Sequence, residues 1–270
     1  MCPAGSIRVG AVNYLNTKPL IYGLQRLAPQ AELYLDLPSR LAERLAAGEL
    51  DIALIPSIEA FQNPLYTMVS DACIACRGPV LSVKLFSRVP IGRIRTLALD
   101  EGSRTSVALA RILLGRRYDV YPRLEPLPIG ATIHDTRADA VLLIGDRAIH
   151  SPLEPFAEVW DLGDQWWRWT GRPFVFATWT ARSGVDLQGV DAALGEARNL
   201  GVQRIDEIAA REAAALGLSE PECAGYLRNN LHFTMADAER QGLAHFYRLA
   251  TELNLAPRGI DLGLGDCKTA

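Results

Sequence analysis

From residue 7 to residue 60 the chain alternates short apolar runs with helical patterns, and this order constrains the fold more than any other feature. Ile7, Val9 and Val12 supply β-branched residues for a first strand. A polar turn from Asn13 to Lys18 follows, and Pro19 suits the first turn of a helix, where its missing amide hydrogen would have no intrahelical partner. Residues 20–27 read as a short helix and residues 32–37 as a strand. Ser39 is a candidate N-cap for a helix through Ala47, with Leu41 and Leu45 on its apolar face and Gly48 closing it. Asp51-Ile52-Ala53-Leu54-Ile55-Pro56 is a largely apolar run between turn signals, the mark of a buried parallel strand, and Ser57-Ile58-Glu59-Ala60 opens another helical turn. Such a β-α-β-α-β-α order predicts an α/β fold with a parallel sheet and helices packed on it.

Beyond residue 68 the texture changes to short strands: Met68-Val69, Ile74-Ala75 and residues 80–86, with Gly78-Pro79 as a turn. A second α/β run opens with Thr96-Leu97-Ala98-Leu99, passes through a polar turn from Asp100 to Ser106, and enters a helix over 107–114. Residues 118–124 and 140–144 read as strands, the latter ending in Gly145-Asp146. Asp164 is a candidate cap for a helix carrying Trp166, Trp167 and Trp169, and residues 174–180 read as a strand. Residues 190–255 read as entirely helical, with a capping-box spacing at Ser219 and Glu222, a helix stop at Gly217 and a helix start at Thr234.

Composition narrows the partners. A chain of 270 residues, 49% hydrophobic, can bury a full core as one large domain or two lobes. With net charge −3 and no run of Lys or Arg it carries no electrostatic footprint for nucleic acid or an anionic membrane, so a small molecule is the expected partner. No apolar run reaches the roughly 18 residues of a spanning helix, and residues 1–7 lack the sections of a signal peptide, which predicts a cytoplasmic protein. Cys2, Cys73, Cys76, Cys223 and Cys267 are odd in number and unpatterned, so no disulfide framework is expected. Cys73 and Cys76 have thioredoxin-like spacing, but with no second ligand pair and no helix signal behind them they read as buried strand cysteines.

Five polar turns at or near strand ends carry the candidate chemistry: Asn13 to Thr17, Ser57, Ser82, Ser103 to Ser106, and Gly145-Asp146. Any one Ser or Thr there is an ordinary helix cap, but two such turns facing each other could grip two carboxylates. Free backbone N–H groups and the helix dipole at such positions favour an anion. Asp100 and Asp146 are strand-end carboxylates that could act as bases or simply accept from a neighbouring turn. Lys18 and Arg104 could pair a substrate carboxylate or face water, and the tryptophan cluster with Phe174 could wall a ring-shaped ligand or pack in the core. His134, His150, His232 and His245 show no metal-ligand spacing, and nucleophile elbow, Walker loop and dinucleotide fingerprint are all absent. Neither a metal nor a cofactor is therefore expected.

The same stretches resemble one family, the chorismate dehydratases of the futalosine route to menaquinone. The resemblance is carried by residues 12–20, 48–57, 78–83, 103–109, 140–146 and 169–177, in order between residues 7 and 181, while the helical tail agrees only in general character. It implies a two-lobed fold like that of type II periplasmic binding proteins, each lobe a mainly parallel sheet with flanking helices, with a C-terminal helical segment. On this model residues 1–85 with 180–270 form one lobe, residues 86–179 the other, and hinges lie near residues 82–87 and 176–181. The resemblance further implies a carbon–oxygen lyase that removes water from chorismate to give 3-[(1-carboxyvinyl)oxy]benzoate. Carried over by motif, Asn16 lies closest to the chemistry, and Ser57, Ser82, Thr105, Ser106 and the Gly145 backbone bind substrate. The expected base is the substrate's own enolpyruvyl carboxylate, with Asp146 as its rival. A non-catalytic carboxylate sensor on the same fold and the related 1,4-dihydroxy-6-naphthoate synthase remain alternatives.

Overall fold

The computed structural model describes residues 6–150 and 155–261, so Cys2 and Cys267 lie outside the described residues. Its eleven strands are β1 (Ile7–Val12), β2 (Ala31–Asp36), β3 (Ile52–Pro56), β4 (Tyr66–Cys76), β5 (Val83–Ser87), β6 (Thr96–Asp100), β7 (Arg123–Leu127), β8 (Ala140–Ile144), β9 (Glu158–Asp161), β10 (Phe174–Arg182) and β11 (His232–Thr234). They form two sheets, one ordered β11-β4-β10-β3-β1-β2 and the other β7-β6-β8-β5-β9. Each sheet with its helices is one lobe of an α/β molecule.

The parallel part foreseen from the opening is the unit β2-β1-β3. All five residues of β3 are buried, as an apolar run covered on both faces requires. Strand β10 then enters antiparallel between β3 and β4, and β5 likewise pairs antiparallel with β8 and β9, so both sheets are mixed. The chain leaves the first sheet after Cys76 and re-enters it at Phe174; β5 and β10, where hinges were expected, lie within paired strands.

Several local expectations are corrected. The two short strands expected before Gly78 are one eleven-residue strand, β4, whose register against β10 shifts twice. The tail is not wholly helical: β11 pairs with β4 across another register shift, burying Phe233 while His232 and Thr234 stay half-exposed. Leu37 rather than Ser39 precedes the helix Pro38–Ala46, because Pro38 takes its first position. Asp161 caps Leu162–Thr170 by accepting from the Asp164 amide at 3.1 Å, and the last helix starts at Asp237 with Ala236 before it. Both halves of the expected Ser219/Glu222 capping box form. Cys73 and Cys76 are free and buried in β4, where loss of hydration pushes their thiols up. No helix among the described residues is long and apolar enough to cross a membrane.

Trp166, fully buried, packs edge-on against Phe174 and Phe246 and donates from its indole nitrogen to the Pro173 carbonyl at 3.1 Å, which places Trp166 and Phe174 in the core, while Trp169 is half-buried and Trp167 exposed. The helix Val190–Gln203 crosses the short turn Leu15–Ile21 so closely that a Cβ on Gly201 would stand 2.0 Å from the Pro19 carbonyl oxygen. That approach fixes the turn carrying Asn16. Gly201→Ala is expected to lower stability by about 1–3 kcal/mol through overpacking. Gly92→Ala, whose added Cβ meets nothing within 4 Å, should stay within about 0.5 kcal/mol of the parent. Thermal unfolding of the two variants provides the comparison.

Candidate active site

Four strand-end or connecting stretches converge between the lobes. After β1 the chain turns at Tyr14 and enters Leu15–Ile21, carrying Asn16 with it; fully buried Thr17 donates its hydroxyl to Asn16 Oδ1 at 3.3 Å. After β6, Asp100 accepts from the Gly102 amide at 3.0 Å, shaping the turn that leads to the helix Thr105–Tyr118. After β8 comes Gly145 at φ 71°, and the connection between β4 and β5 brings Val80 and Ser82. Around them lies a cleft with about 520 Å³ of empty space, part of it open to solvent. Its polar lining is Tyr14, Asn16, Ser82, Ser103, Arg104, Thr105 and Ser106, and its apolar walls include Val12, Pro38, Pro56, Ile74, Ile144 and Phe176.

Of the lining side chains only Arg104 and Tyr14 can ionise. Arg104 is already held by Glu43 at 2.5 Å and Glu59 at 3.2 Å, so little of its charge is left uncompensated. Burial, reinforced by the Asp100 charge, pushes the Tyr14 phenol up and keeps it a donor near neutrality. The backbone N–H groups in the first turn of Thr105–Tyr118 have no intrahelical acceptor and add positive potential at the cavity wall. The site is thus a set of neutral donors on a largely apolar frame, suited to orienting an anion.

Asn16, Ser82, Thr105, Ser106 and Gly145 are brought together around this cavity; Ser57 and Asp146 are outside its lining. The Ser57 hydroxyl, fully buried, donates to the Val175 carbonyl at 2.8 Å and lies 3.4 Å from Thr105 Oγ1, which also accepts from the Ile58 amide at 3.2 Å. Ser57 therefore joins the lobes beside the cavity. Asp146 does so on another side: its carboxylate accepts from the Leu15 amide at 3.1 Å. Burial pushes this carboxyl up, and the bond from Leu15 opposes that shift. The Gly145 N–H is committed to the Ser82 carbonyl at 2.9 Å. A Cβ at Gly145 would stand 2.7 Å from the Tyr14 ring, so the bare Cα lets an aromatic from the other lobe close the gap.

Other candidates have local partners. Lys18 reaches Glu212 at 3.2 Å, and Asp100 accepts from the Ile144 amide and the Arg147 guanidinium. His232 sits beside Arg77 and Glu239, while His245 packs against Trp166. Among the described residues no three His, Cys, Asp or Glu gather as a metal site. Tyr14 and Ser103 lie in stretches that carry the family resemblance but were given no role, because nothing in a strand-end turn says which side chain faces inward. Tyr226, buried near Asn16 and Ser82, lies in the helical tail and gave no signal at all.

The family model described as menaquinone biosynthesis matches residues 7–252. The chorismate dehydratase of Thermus thermophilus is 32% identical over 258 residues, covering 85% of this chain and 94% of that protein. Among solved structures, protein AF1704 from Archaeoglobus fulgidus has TM-score 0.73 at 15% identity, covering 93% of this chain and 98% of that one. The periplasmic aliphatic sulphonate binding protein SsuA from Escherichia coli has TM-score 0.62 at 18% identity, covering 97% and 91%. These two likenesses speak for the fold alone, and they give it as the two-lobed periplasmic-binding-protein architecture. With a family model spanning most of its length and a relative of this identity and coverage, the chain belongs to the menaquinone-biosynthesis family.

Proposed function

We propose that the protein is a chorismate dehydratase, a carbon–oxygen lyase that converts chorismate to 3-[(1-carboxyvinyl)oxy]benzoate and water for menaquinone biosynthesis by the futalosine route. The observation that carries this reading is the interlobe cavity itself, lined by hydroxyl and amide donors from both lobes, with Arg104 already paired to Glu43 and Glu59 and with no carboxylate, histidine or cysteine on its lining. The likeness to the Thermus thermophilus enzyme supports it, and a biosynthetic role of this kind fits a cytoplasmic setting.

Loss of water from chorismate removes one ring proton and expels a neighbouring hydroxyl, and aromatisation drives it. Little is then asked of protein acids and bases. The demand is to hold a dianion in one orientation and keep water out, which positioned dipoles can do. Asn16 is the residue we assign to the reacting centre: with Oδ1 accepting from Thr17, its amide NH₂ is left to donate to the leaving hydroxyl. Ser82, Thr105, Ser106 and the first turn of their helix hold the carboxylates. The ring proton passes to the substrate's enolpyruvyl carboxylate and from there to the departing hydroxyl, which leaves as water; the protein rival for this role, Asp146, is turned to the Leu15 amide.

Incubation of purified protein with chorismate, followed by mass spectrometry, should reveal the aromatic enol ether. An absence of product together with tight binding of another carboxylate would point instead to a sensor. Asn16→Ala should lower kcat by about 10²–10³-fold, the scale of one lost preorganised donor, with circular dichroism unchanged; near-normal turnover would remove Asn16 from its role. Asp146→Asn keeps an acceptor for Leu15 but no base. It should retain kcat within about tenfold, whereas a loss of about 10²–10⁴-fold, the scale of a missing general base, would transfer the proton to Asp146.

A further inference from the structure

Tyr226 opens a one-turn π-helical segment, Tyr226–Asn230, that follows the helix Glu220–Gly225. Such turns are uncommon and concentrate at functional sites, because the wider turn re-aims the side chains it carries. The residue is 2% exposed, and its hydroxyl is buried with no hydrogen-bond partner. A buried phenol left unpaired is costly. The side chains of Ser82 and Asn16, both on the cavity lining, face it closely enough to ease its ionisation, against the Asp146 and Asp161 charges, but neither bonds its hydroxyl. Burial nevertheless pushes the phenol up, so it remains an O–H near neutrality. The far end of the same turn is tied to the connection that carries Ser82, for Asn230 Nδ2 donates to the Pro79 carbonyl at 2.9 Å.

We infer that Tyr226 is a positioning residue of the cleft, whose buried hydroxyl completes a chain from the Asn16 amide through Tyr226 to Ser82 when a carboxylate ligand fills the cavity. In that chain an Asn16 N–H donates to the Tyr226 oxygen, the Tyr226 O–H donates to Ser82 Oγ, and the Ser82 hydroxyl is left to donate to the ligand. The bond order suits the inventory of donors and acceptors: each member gives one hydrogen onward, and Asn16 keeps its second N–H for the cleft. Tyr226 touches no substrate itself. The inference rests on the dehydratase reading of the cavity.

The test is Tyr226→Phe, which preserves the ring and deletes the hydroxyl. With chorismate, kcat/KM should fall about tenfold to a hundredfold, the range one buried hydrogen bond supports, divided between a higher KM through Ser82 and a lower kcat through Asn16. The melting temperature should be unchanged or higher, since an unpaired buried hydroxyl is gone. In a Ser82→Ala background the same substitution should cost less than about threefold more, because the chain is already broken. Unchanged kinetics in Tyr226→Phe, or losses that multiply fully in the double variant, would overturn the assignment. Should the wild-type protein bind chorismate without converting it, the dehydratase reading fails on its own; calorimetric affinity for chorismate then decides, weaker in Tyr226→Phe if the chain exists and equal if it does not. A wild-type protein that does not bind chorismate overturns both.

Discussion

The Leu15 amide ends on the Asp146 carboxylate, and much else follows from that one bond across the cleft. It joins the turn after β1 in one sheet to the turn after β8 in the other, so that strand ends which would otherwise face water face each other. The Ile58 amide on Thr105 Oγ1 closes the opposite side, and the Tyr14 ring against Gly145 fills the gap between. A single hydrogen bond contributes only about 0.5–1.5 kcal/mol, somewhat more to a charged acceptor, so these bonds act beside the apolar core that runs on between the lobes and the Arg104 pairs with Glu43 and Glu59. What those contacts secure is geometry. Separate the turns and the donors lining the cavity no longer address the same point.

The choice of donors has an electrostatic reason. Lysines and arginines would bind a dianion strongly in its ground state, but a uniform gain of that kind lowers KM without accelerating the chemical step. Arg104 is the one cation on the wall, and Glu43 and Glu59 take up most of its charge. In the proposed mechanism, hydroxyls, an amide and a helix terminus hold orientation with a smaller desolvation cost and leave a carboxylate of the substrate basic enough to receive a proton.

Much of this was legible in the sequence because strand ends announce themselves. The runs of β1, β3, β6 and β8 are short, apolar and followed at once by polar residues, and a parallel sheet places such followers on one edge. That is why the turns holding Asn16, Thr105, Ser106 and Gly145 stand out in the sequence, while Ser82, which follows none of these strands, and the choice of residue within each turn come from the resemblance to the dehydratases. Direction was not legible. Ser57 sits at the end of β3 as a binding residue would, yet its hydroxyl is spent on Val175 from β10, a strand whose insertion beside β3 no local pattern reveals. The Gly145 amide is likewise committed to Ser82, from a connection more than sixty residues earlier. His232-Phe233-Thr234 is too short to compete with the helical periodicity around it, and only the open edge of β4 makes it a strand.

The strand order of the larger sheet also bears on the sequence in which the molecule can assemble. β3 and β4 are separated in space by β10, which arrives about a hundred residues later along the chain. As synthesis proceeds from the amino terminus, β4 leaves the ribosome with no β10 to pair with on one edge and no β11 on the other. The smaller sheet, by contrast, draws all its strands from one continuous segment, 83–161, and waits for nothing beyond it. The middle of the polypeptide can therefore reach its native pairing while the beginning is still incomplete, and the last strands then stitch the first lobe around a neighbour already formed.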